Sequence, residues 1–357
     1  MCIAAFIWQA HPLYEFLLLL NRDEYHNRPT KSVSWWKDST ILGGRDELAG
    51  GTWLACTREG RLAFLTNVLE LHPHPEAKSR GDLPVRFLES RKSPMEFAKE
   101  VGKEADQYNG FNLILADVSS KTMVYVSNRP KGQPASIEVV SPGIHVLSNA
   151  RLDSPWHKAE RLGGNFKHLL GKYGKGEVPV KHMVEDLMRD TVKADESRLP
   201  HICSTEWEKK LSSIFVEVDT PVGRYGTRST VALSLTANGE VSFYEMYLED
   251  ETWKEQTEFK PYKQPPRGMT TKVILRVKEE IERPLAARCI RTARHSYNEW
   301  PNAKDTMRKV KEMFGEQYWN AHQSQLKPKC LKGLQFSPCH ENDKSDKGVE
   351  IPWDSQE

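Results

Sequence analysis

The sequence predicts an α+β fold, in which two antiparallel sheets lie face to face and helices cover their outer faces, as in a four-layer αββα sandwich. Strand-like segments come first along the chain, helical segments follow, and strands then return. This order differs from the alternating β and α segments of a parallel sheet. Turn-length loops also join neighbouring strands, and Asn238-Gly239 is a strong signal for a tight antiparallel hairpin.

Strands are predicted where short apolar or alternating runs are bounded by turn residues. In the first of them, alternation places Cys2, Ala4, Phe6 and Trp8 on one face. The predicted strands are Cys2–Trp8, Phe16–Leu20, Thr52–Thr57, Leu62–Thr66, Phe111–Val118, Thr122–Ser127, Ser136–Val140, Ile144–Leu147, Ser213–Val218, Gly226–Leu235 and Val241–Tyr247.

Helices are predicted where apolar residues recur every three or four positions. One of them begins with Ser93 as N-cap and Pro94 at the first helical position. The others cover Leu83–Ser90, Trp156–Tyr173 and Val180–Asp190.

Composition divides the chain near residue 262, where the linker-like run Pro261–Pro266 lies. Residues 1–262 are predicted to form one domain. Residues 263–322 form a partly helical extension, with amphipathic helices expected at Lys272–Leu285 and Ala303–Tyr318. Residues 323–357 are polar and predict a disordered tail.

Charge and cysteine content exclude several classes of protein. With 51 Lys and Arg against 49 Asp and Glu, the net charge of +2 gives no reason to expect nucleic acid or an anionic membrane as partner. No secretory signal or apolar run of about 20 residues is present, so no transmembrane segment is expected. The six cysteines lack a CxxC pair, which predicts reduced thiols of an intracellular protein and no metal site.

Cys2 is the first candidate for chemistry, because it follows Met1, which is normally removed before so small a side chain. The new terminus would carry an α-amine with a pKa of roughly 7.7–8.0 beside a thiol of roughly 8.5. Near neutral pH, such an amine can act as the base for its own nucleophile. Alternatively, Cys2 is a small apolar residue that begins a strand.

Polar clusters near strand ends offer further groups suited to acyl transfer. Asn149, Asn67 and Arg228 are candidate donors to an oxyanion. Arg22 could favour the Cys2 thiolate, and Asp23 could hold the α-ammonium group. The alternative is structural, since Asn is common in turns and an adjacent Arg and Asp often form a surface pair worth little energy.

In their order along the chain, these motifs resemble the NRDE family, also called the transport and Golgi organisation protein 2 family. The resemblance covers residues 1 to about 262. Its motifs are Met1-Cys2, Asn21-Arg22-Asp23-Glu24 with Arg28-Pro29, Gly50-Gly51-Thr52-Trp53-Leu54, Thr66-Asn67, Arg80-Gly81-Asp82-Leu83, Tyr108-Asn109-Gly110-Phe111-Asn112-Leu113, Leu147-Ser148-Asn149-Ala150 and Gly226-Thr227-Arg228.

This family looks like a relative of the N-terminal-nucleophile (Ntn) hydrolases, especially the cysteine type that includes penicillin V acylase. The resemblance implies an Ntn-hydrolase-like αββα fold with Cys2 as nucleophile. It implies that Arg22, Asp23, Asn149 and Arg228 complete the site. Asn67 and Trp53 are weaker candidates, as ligand contacts.

The resemblance also implies a function: an intracellular carrier that mobilises haem or another hydrophobic metabolite, linked to lipid and acyl-CoA homeostasis. It implies a cytoplasmic protein that is also associated with mitochondria and the Golgi. The alternative is an enzyme that uses Cys2 to hydrolyse or transfer the acyl group of an amide or thioester. A trafficking scaffold is a third hypothesis. No cofactor is expected, haem is a transported ligand rather than a resident group, and His72 and His74 are weak candidates for its axial ligand.

Overall fold

Fifteen strands and five α-helices make up the part of the chain that the computed structural model describes, namely residues 2–37, 39–71, 74–261 and 274–278. The strands are β1 (Ile3–Trp8), β2 (Tyr14–Tyr25), β3 (Thr30–Trp35), β4 (Ile41–Asp46), β5 (Leu54–Thr57), β6 (Arg61–Asn67), β7 (Phe111–Asp117), β8 (Thr122–Ser127), β9 (Ser136–Val139), β10 (Gly143–Leu147), β11 (Glu217–Thr220), β12 (Gly223–Thr236), β13 (Glu240–Glu249), β14 (Thr252–Pro261) and β15 (Ile274–Lys278). The helices are α1 (Asp82–Glu89), α2 (Pro94–Lys103), α3 (His157–Tyr173), α4 (Val180–Leu187) and α5 (Thr205–Lys210).

The strands form two antiparallel sheets. Sheet A has the order β10-β1-β2-β12-β13-β14-β15, with β11 paired to β12. Sheet B runs in chain order from β3 to β9. The first strand therefore lies inside sheet A, between β2 and β10, and a residue at its start has a neighbouring strand on each side.

Three apolar layers hold these elements together. The inner layer lies between the sheets and contains Phe6 and Phe16 of sheet A with Phe64 of sheet B. The outer face of sheet A packs on α3 and α4, and the outer face of sheet B packs on α1 and α2. The predicted four-layer αββα sandwich is therefore confirmed.

Several element boundaries differ from those predicted. Strand β2 continues to Tyr25, so Asn21, Arg22 and Asp23 lie within the strand and not after it. These polar residues are buried in the sheet. Polar residues were taken to mark the end of the strand, but here the strand continues through them. Strands β3, β4 and β14 and helix α5 were not predicted. In β4, Gly43 and Gly44 leave room for Ala55 and Trp53, so contact between strands replaces the usual β-branched side chains.

The extension is described only at Ile274–Lys278, which pairs with β14 as a strand. The amphipathic helix expected over Lys272–Leu285 is therefore wrong at residues 274–278, which form a strand. The helix expected at Ala303–Tyr318 and the tail at 323–357 lie outside the described residues. In the described part of the chain, no helix has the length and apolar character needed to cross a bilayer.

Candidate functional site

Cys2 lies at the head of β1, where two strands flank it. In the β1–β2 register Ile3 pairs with Asn21, so the next step brings Cys2 beside Arg22. On the other side Ala4 pairs with Leu147, and the register continued to Cys2 reaches Asn149. The Ser148 hydroxyl donates to the Cys2 carbonyl over 3.2 Å and fixes this edge.

The Cys2 thiol is held mainly in its protonated form. Burial raises its pKa, and the neighbouring Asp23 carboxylate acts in the same direction. The positive charge of the N-terminus opposes this rise most strongly, followed by a hydrogen bond from the Asp23 backbone and the positive charge of Arg22. Because the thiolate is the nucleophile, these positive charges favour the reactive form of Cys2.

Asp23 occupies the outer-layer side of the same strand end and is only 6% exposed. The Thr227 hydroxyl donates to its Oδ1 over 2.7 Å and accepts the Val216 N–H over 3.0 Å. Burial raises the pKa of the Asp23 carboxyl, while the positive charge of the N-terminus, that of Lys158 and the Thr227 hydrogen bond oppose the rise. The register pairs Asp23 with Thr227 across β2 and β12. The predicted site residue Asp23 therefore lies near Cys2. Thr227, which was not predicted as a site residue, holds the Asp23 carboxylate through a hydrogen bond.

Lys158 is a site residue that the sequence analysis missed. It is 2% exposed, although it carries a charge, and its Nζ donates to the Leu211 carbonyl over 3.3 Å. Burial lowers its pKa to about 8, against the pull of the negative charges of Asp23 and Cys2. The sequence did contain a sign of its burial. Lys158 precedes the buried Leu162 and Phe166 at intervals of four residues, so all three lie on the same face of α3.

Asn149 and Asn67 form one unit beside Cys2. The Asn149 amide donates to the Asn67 carbonyl over 2.9 Å and to its Oδ1 over 3.0 Å. The Asn149 Oδ1 accepts the Ser148 hydroxyl over 2.9 Å. The pair joins the ends of β6 and β10 across the two sheets. Binding of an oxyanion by the Asn149 amide, which stays a prediction, would require it to release an Asn67 acceptor.

Arg22 points between the sheets, where its guanidinium lies 4.2 Å from the centre of the Trp53 ring. Both side chains are buried, and Nη1 of Arg22 has no hydrogen-bond partner among the described residues. A cation over an aromatic face is attractive, and more so where water is excluded. Trp53 therefore packs against Arg22 in the inner layer, and its role as a ligand contact stays a prediction.

Arg228 is the extra residue of a β-bulge, since the β2–β12 register shifts between Thr227 and Ser229. Its guanidinium donates to the carbonyls of Tyr25 and Arg28, and burial lowers its pKa to about 10. These contacts direct it to the turn after β2. Its role as an oxyanion donor at Cys2 stays a prediction.

Arg80 adds a second cation that the sequence analysis did not select. Its Nη1 donates to the Gly110 carbonyl over 2.8 Å. Burial lowers its pKa, and the negative charges of Glu70, Glu24 and Cys2 oppose this shift. The next residue, Gly81, is held in place by a backbone hydrogen bond, in which the Thr52 N–H donates to the Gly81 carbonyl over 3.0 Å.

A small cleft with a cavity volume of about 20 Å³ lies on the helix side of sheet A. Lys158 forms part of its wall, and so does Leu69, whose N–H donates to the Asn149 carbonyl over 2.9 Å. The far wall is held by the Glu208 carboxylate, which accepts the backbone N–H groups of residues 201–203. The lining residues are Leu69, Trp156, His157, Lys158, Ala194, Arg198, Leu199, Pro200, Glu208, Leu211 and Ser212.

No group of His, Cys, Asp or Glu side chains suited to hold a metal ion occurs within the described residues. His74 lies in an exposed loop, where its ring Nδ1 accepts the Glu76 N–H, and His72 lies outside the described residues. A haem ligand at this pair stays a prediction.

Residues 1–250 match the model of the family "Transport and Golgi organisation 2". The mouse "Transport and Golgi organization 2 homolog" is 34% identical over 70% of this chain and 94% of its own length. The human homologue is 32% identical over 72% of this chain and 98% of its own length. A solved structure of the C2A mutant of conjugated bile acid hydrolase from Clostridium perfringens aligns with a TM-score of 0.42 at 10% identity, covering 76% of this chain and 96% of that one.

Proposed function

This chain belongs to the Transport and Golgi organisation 2 family, and we propose that it acts on an acyl compound through Cys2, by hydrolysis or transfer of an amide or thioester. One observation carries the proposal: the strand registers place Cys2 between Arg22 and Asn149 at the head of β1, beside the buried Asp23 carboxylate. A nucleophile, buried charges and amide donors are parts that acyl transfer uses.

The proposed reaction has two steps. The Cys2 sulfur attacks the carbonyl carbon, a carbon–sulfur bond forms, and the bond from that carbon to the leaving nitrogen or sulfur breaks. The thiol proton passes to the leaving group, and the product is a thioester on Cys2. Water then adds to the thioester and releases a carboxylic acid and the thiol. In a transfer, an acceptor amine or thiol replaces water.

The base in this scheme is the α-amine of Cys2, which becomes free when Met1 is removed. Arg22 favours the thiolate through its positive charge. The Asn149–Asn67 pair supplies amide hydrogens near the carbonyl oxygen. Intact mass and N-terminal sequencing of the purified protein test this base directly, because a retained Met1 or a blocked terminus removes it.

The test of the activity is a panel of N-acyl amides and acyl-coenzyme A thioesters, incubated with the native protein and with Cys2→Ala. We expect turnover that the substitution abolishes, and an S-acyl adduct of intact protein that appears only with Cys2. Cys203→Ala is the matched control, because it removes another partly exposed free thiol. Turnover that survives in Cys2→Ala would overturn the proposed mechanism.

A second candidate is the carrier function, in which the small cleft widens to hold haem or another hydrophobic metabolite without chemistry. The apolar lining favours it, and so does the burial that keeps Cys2 as a thiol. Trp156 lines the cleft, so bound ligand should quench its fluorescence, and Trp156→Phe should remove that part of the signal. A haem titration that changes neither absorbance nor fluorescence would count against this function, as would equal quenching in Trp156→Phe.

The location of the protein in the cell is a further part of the proposal. The relatives are named for transport and Golgi organisation, and we propose that this chain acts in the cytoplasm and in association with mitochondria or the Golgi. Imaging of a chain tagged at its C-terminus tests this, since a tag at the other end would block Cys2. A signal that overlaps neither organelle would reject the association.

A further inference from the structure

The loop that follows β6, residues 67–70, is bound to the candidate site through Asn149. The Asn149 amide donates to both oxygens of Asn67, over 2.9 and 3.0 Å. Two residues further on, the Leu69 N–H donates to the Asn149 carbonyl over 2.9 Å. Asn149 is therefore held by two residues of one short loop, and any movement of this loop moves the amide pair.

The other two residues of the loop are bound to Gly110. The Val68 N–H donates to the Gly110 carbonyl over 2.9 Å, and the Glu70 Oε1 accepts the Gly110 N–H over 2.7 Å. The Glu70 Oε2 accepts Nε of Arg129 over 2.8 Å and also Nη2 of the same guanidinium. Hydrogen bonds between charged partners are roughly twice as strong as neutral ones, so Glu70 is the strongest attachment of the loop.

We propose that Glu70, held by Arg129, is a positioning residue for acyl transfer, because it fixes the loop that carries Asn67 and thereby the Asn67–Asn149 amide pair. The proposal deepens the proposed function and rests on the roles of Cys2 and of this amide pair. Glu70 acts through the pair, since its own contacts lie at the other end of the loop.

The partner of Glu70 is itself anchored in the fold. Nη1 of Arg129 donates to the Asn128 carbonyl over 2.9 Å, and the Asn128 side chain is buried. The Asn128 amide donates to the carbonyls of Ala105 and Tyr108 over 2.9 and 3.1 Å. Both side chains of the Glu70–Arg129 pair are only 18% exposed. The pair therefore attaches the loop to a fixed point and not to a mobile surface side chain.

The contact between the loop and Gly110 leaves no room for adjustment. A Cβ at Gly110 would lie 2.9 Å from the Cβ of Val68 and 3.2 Å from the Glu70 Oε1. Nη1 of Arg80 also donates to the Gly110 carbonyl, over 2.8 Å. Both peptide groups of Gly110 are thus engaged, and they fix the distance between the loop and the segment before β7.

A fixed loop matters because the amide pair lies beside the nucleophile. The Ser148 hydroxyl lies 3.2 Å from the Cys2 carbonyl oxygen and 2.9 Å from the Asn149 Oδ1, so it connects the two residues. Donors that are already in place stabilise an oxyanion without reorganisation. A displacement of about 1 Å, caused far from the chemistry, can cost about a hundredfold in rate.

The experiment compares two reactions of Cys2. p-Nitrophenyl acetate acetylates the thiol through a tetrahedral oxyanion: the sulfur bonds to the carbonyl carbon, the thiol proton passes to solvent, and p-nitrophenolate leaves. Iodoacetamide alkylates the same sulfur with loss of iodide and forms no oxyanion. The Cys2 contribution to each rate is the difference between a protein and its Cys2→Ala counterpart.

Glu70→Ala should slow acetylation about 10- to 100-fold and leave alkylation unchanged. In an Asn149→Ala background the same substitution should cost nothing further, because Glu70 acts through Asn149. Glu70→Gln, which keeps an oxygen acceptor without the charge, should give a smaller loss. So should Arg129→Lys, which keeps the charge without the guanidinium fork. These two milder variants decide the question if Glu70→Ala does not fold.

The matched control is Arg161→Lys, which makes the same exchange in another arginine–carboxylate pair, with Asp190. It should leave both rates unchanged. Equal slowing of acetylation and alkylation in Glu70→Ala would indicate a general effect on folding or on the thiol, and would overturn the proposal. Unchanged acetylation would overturn it as well, and so would full additivity with Asn149→Ala.

Failure here is distinguishable from failure of the proposed function. A native Cys2 that is alkylated but never acetylated would reject the proposed function and the role of Glu70 together. Turnover of the amide and thioester panel at one rate in the native protein and in Glu70→Ala would keep the proposed function and reject only the role of Glu70.

Discussion

Asp23 shows how one buried carboxylate decides the reactivity of the site. Its negative charge raises the pKa of the Cys2 thiol, while its side chain anchors Thr227 and offsets Lys158. The same residue thus suppresses the thiolate and stabilises the charges around it. Catalysis and stability should respond to its removal in opposite ways.

We predict that Asp23→Asn speeds alkylation of Cys2 at neutral pH and destabilises the protein. Loss of the negative charge lowers the pKa of the thiol, and it weakens the buried hydrogen bond from the Thr227 hydroxyl. The free energy of unfolding should fall by about 1–3 kcal/mol, as when a buried hydrogen bond to a charged group is weakened. Alkylation kinetics and denaturant unfolding measure the two effects. Asp219→Asn, at an exposed position, is the control, and slower alkylation in Asp23→Asn would contradict the prediction.

At the scale of elements, the motif glycines hold loops in close backbone contact. A Cβ on Gly51 would lie 2.4 Å from the backbone carbon of Gly81, so the segment before β5 packs directly on the segment before α1. The two motifs that contain these glycines are distant in sequence. Glycine is needed at Gly51 because a side chain there would collide with the Gly81 backbone.

Gly51→Ala should therefore lower the free energy of unfolding by about 1–3 kcal/mol, the cost of overpacking. Gly171→Ala is the matched control, because that helical position has nothing within 4 Å of an added Cβ. A helix gains about 0.5–1 kcal/mol from this exchange. Equal stability of the two variants in denaturant titrations would show that the contact between loops is unimportant.

Asn112 ties the two sheets together at the site end of the fold. Its amide donates to the Ala150 carbonyl over 2.8 Å and to the Thr66 hydroxyl over 3.2 Å, and its Oδ1 accepts the Tyr125 hydroxyl over 2.7 Å. This network fixes the strand end that carries Asn149.

Asn112→Leu should destabilise the protein by about 1–3 kcal/mol for each buried polar group left unsatisfied. It should also loosen the segment after β10, seen as faster hydrogen exchange at residues 148–150. Asn109→Leu, in an exposed pair with His74, is the control. Unchanged exchange in the Asn112 variant would argue against the proposed tie.

The loop after β10 is held by His145, whose Nδ1 lies 2.8 Å from Asp153. Burial alone would lower the His145 pKa, but the Asp153 hydrogen bond and the Ser141 carbonyl together raise it. The stabilisation is therefore complete below the unfolded pKa of about 6.5 and is lost as pH rises through the folded value.

Asp153→Asn should abolish this pH-dependent part of stability, by less than about 1 kcal/mol, because half of the Asp153 side chain is exposed. Denaturant unfolding at pH values on either side of about 6.5 measures it. Asp106→Asn, at an exposed position, should keep the native pH dependence. A native slope in Asp153→Asn would contradict the assignment.

At the scale of the whole molecule, the family match ends at residue 250, but sheet A continues beyond it. Strand β14 pairs with β13 from Glu249–Thr252 to Glu240–Pro261. It also reaches the other sheet, since the Gln256 amide donates to the Val33 carbonyl. The structural unit therefore includes β14, which lies beyond residue 250.

A chain truncated after residue 262 should melt within a few degrees of the full-length protein, because it keeps β14. A chain truncated after residue 250 should melt several degrees lower, since a loss of about 1 kcal/mol lowers the melting temperature by about 2–4 °C in a protein of this size. Circular dichroism during heating measures both. Equal melting of the two truncated chains would show that β14 adds no stability.

The sequence by itself determined the layers of this fold. The alternation in β1 puts Ala4, Phe6 and Trp8 on one face as predicted, and the Ser93 cap and Pro94 start α2. These features are local, because the period of apolar residues and the chemistry of a helix cap require no knowledge of distant contacts. The family resemblance rests equally on short motifs and is confirmed by the match over residues 1–250.

Only the tertiary structure decided the composition of the site. Lys158 is separated from Cys2 by most of the first half of the chain, and only the packing of α3 on sheet A brings them together. The extra residue of the β-bulge determines that Arg228 contacts the turn after β2, and a bulge depends on pairing with a second strand. Charges in a buried site act through space rather than along the chain, so their partners follow from the fold and not from spacing.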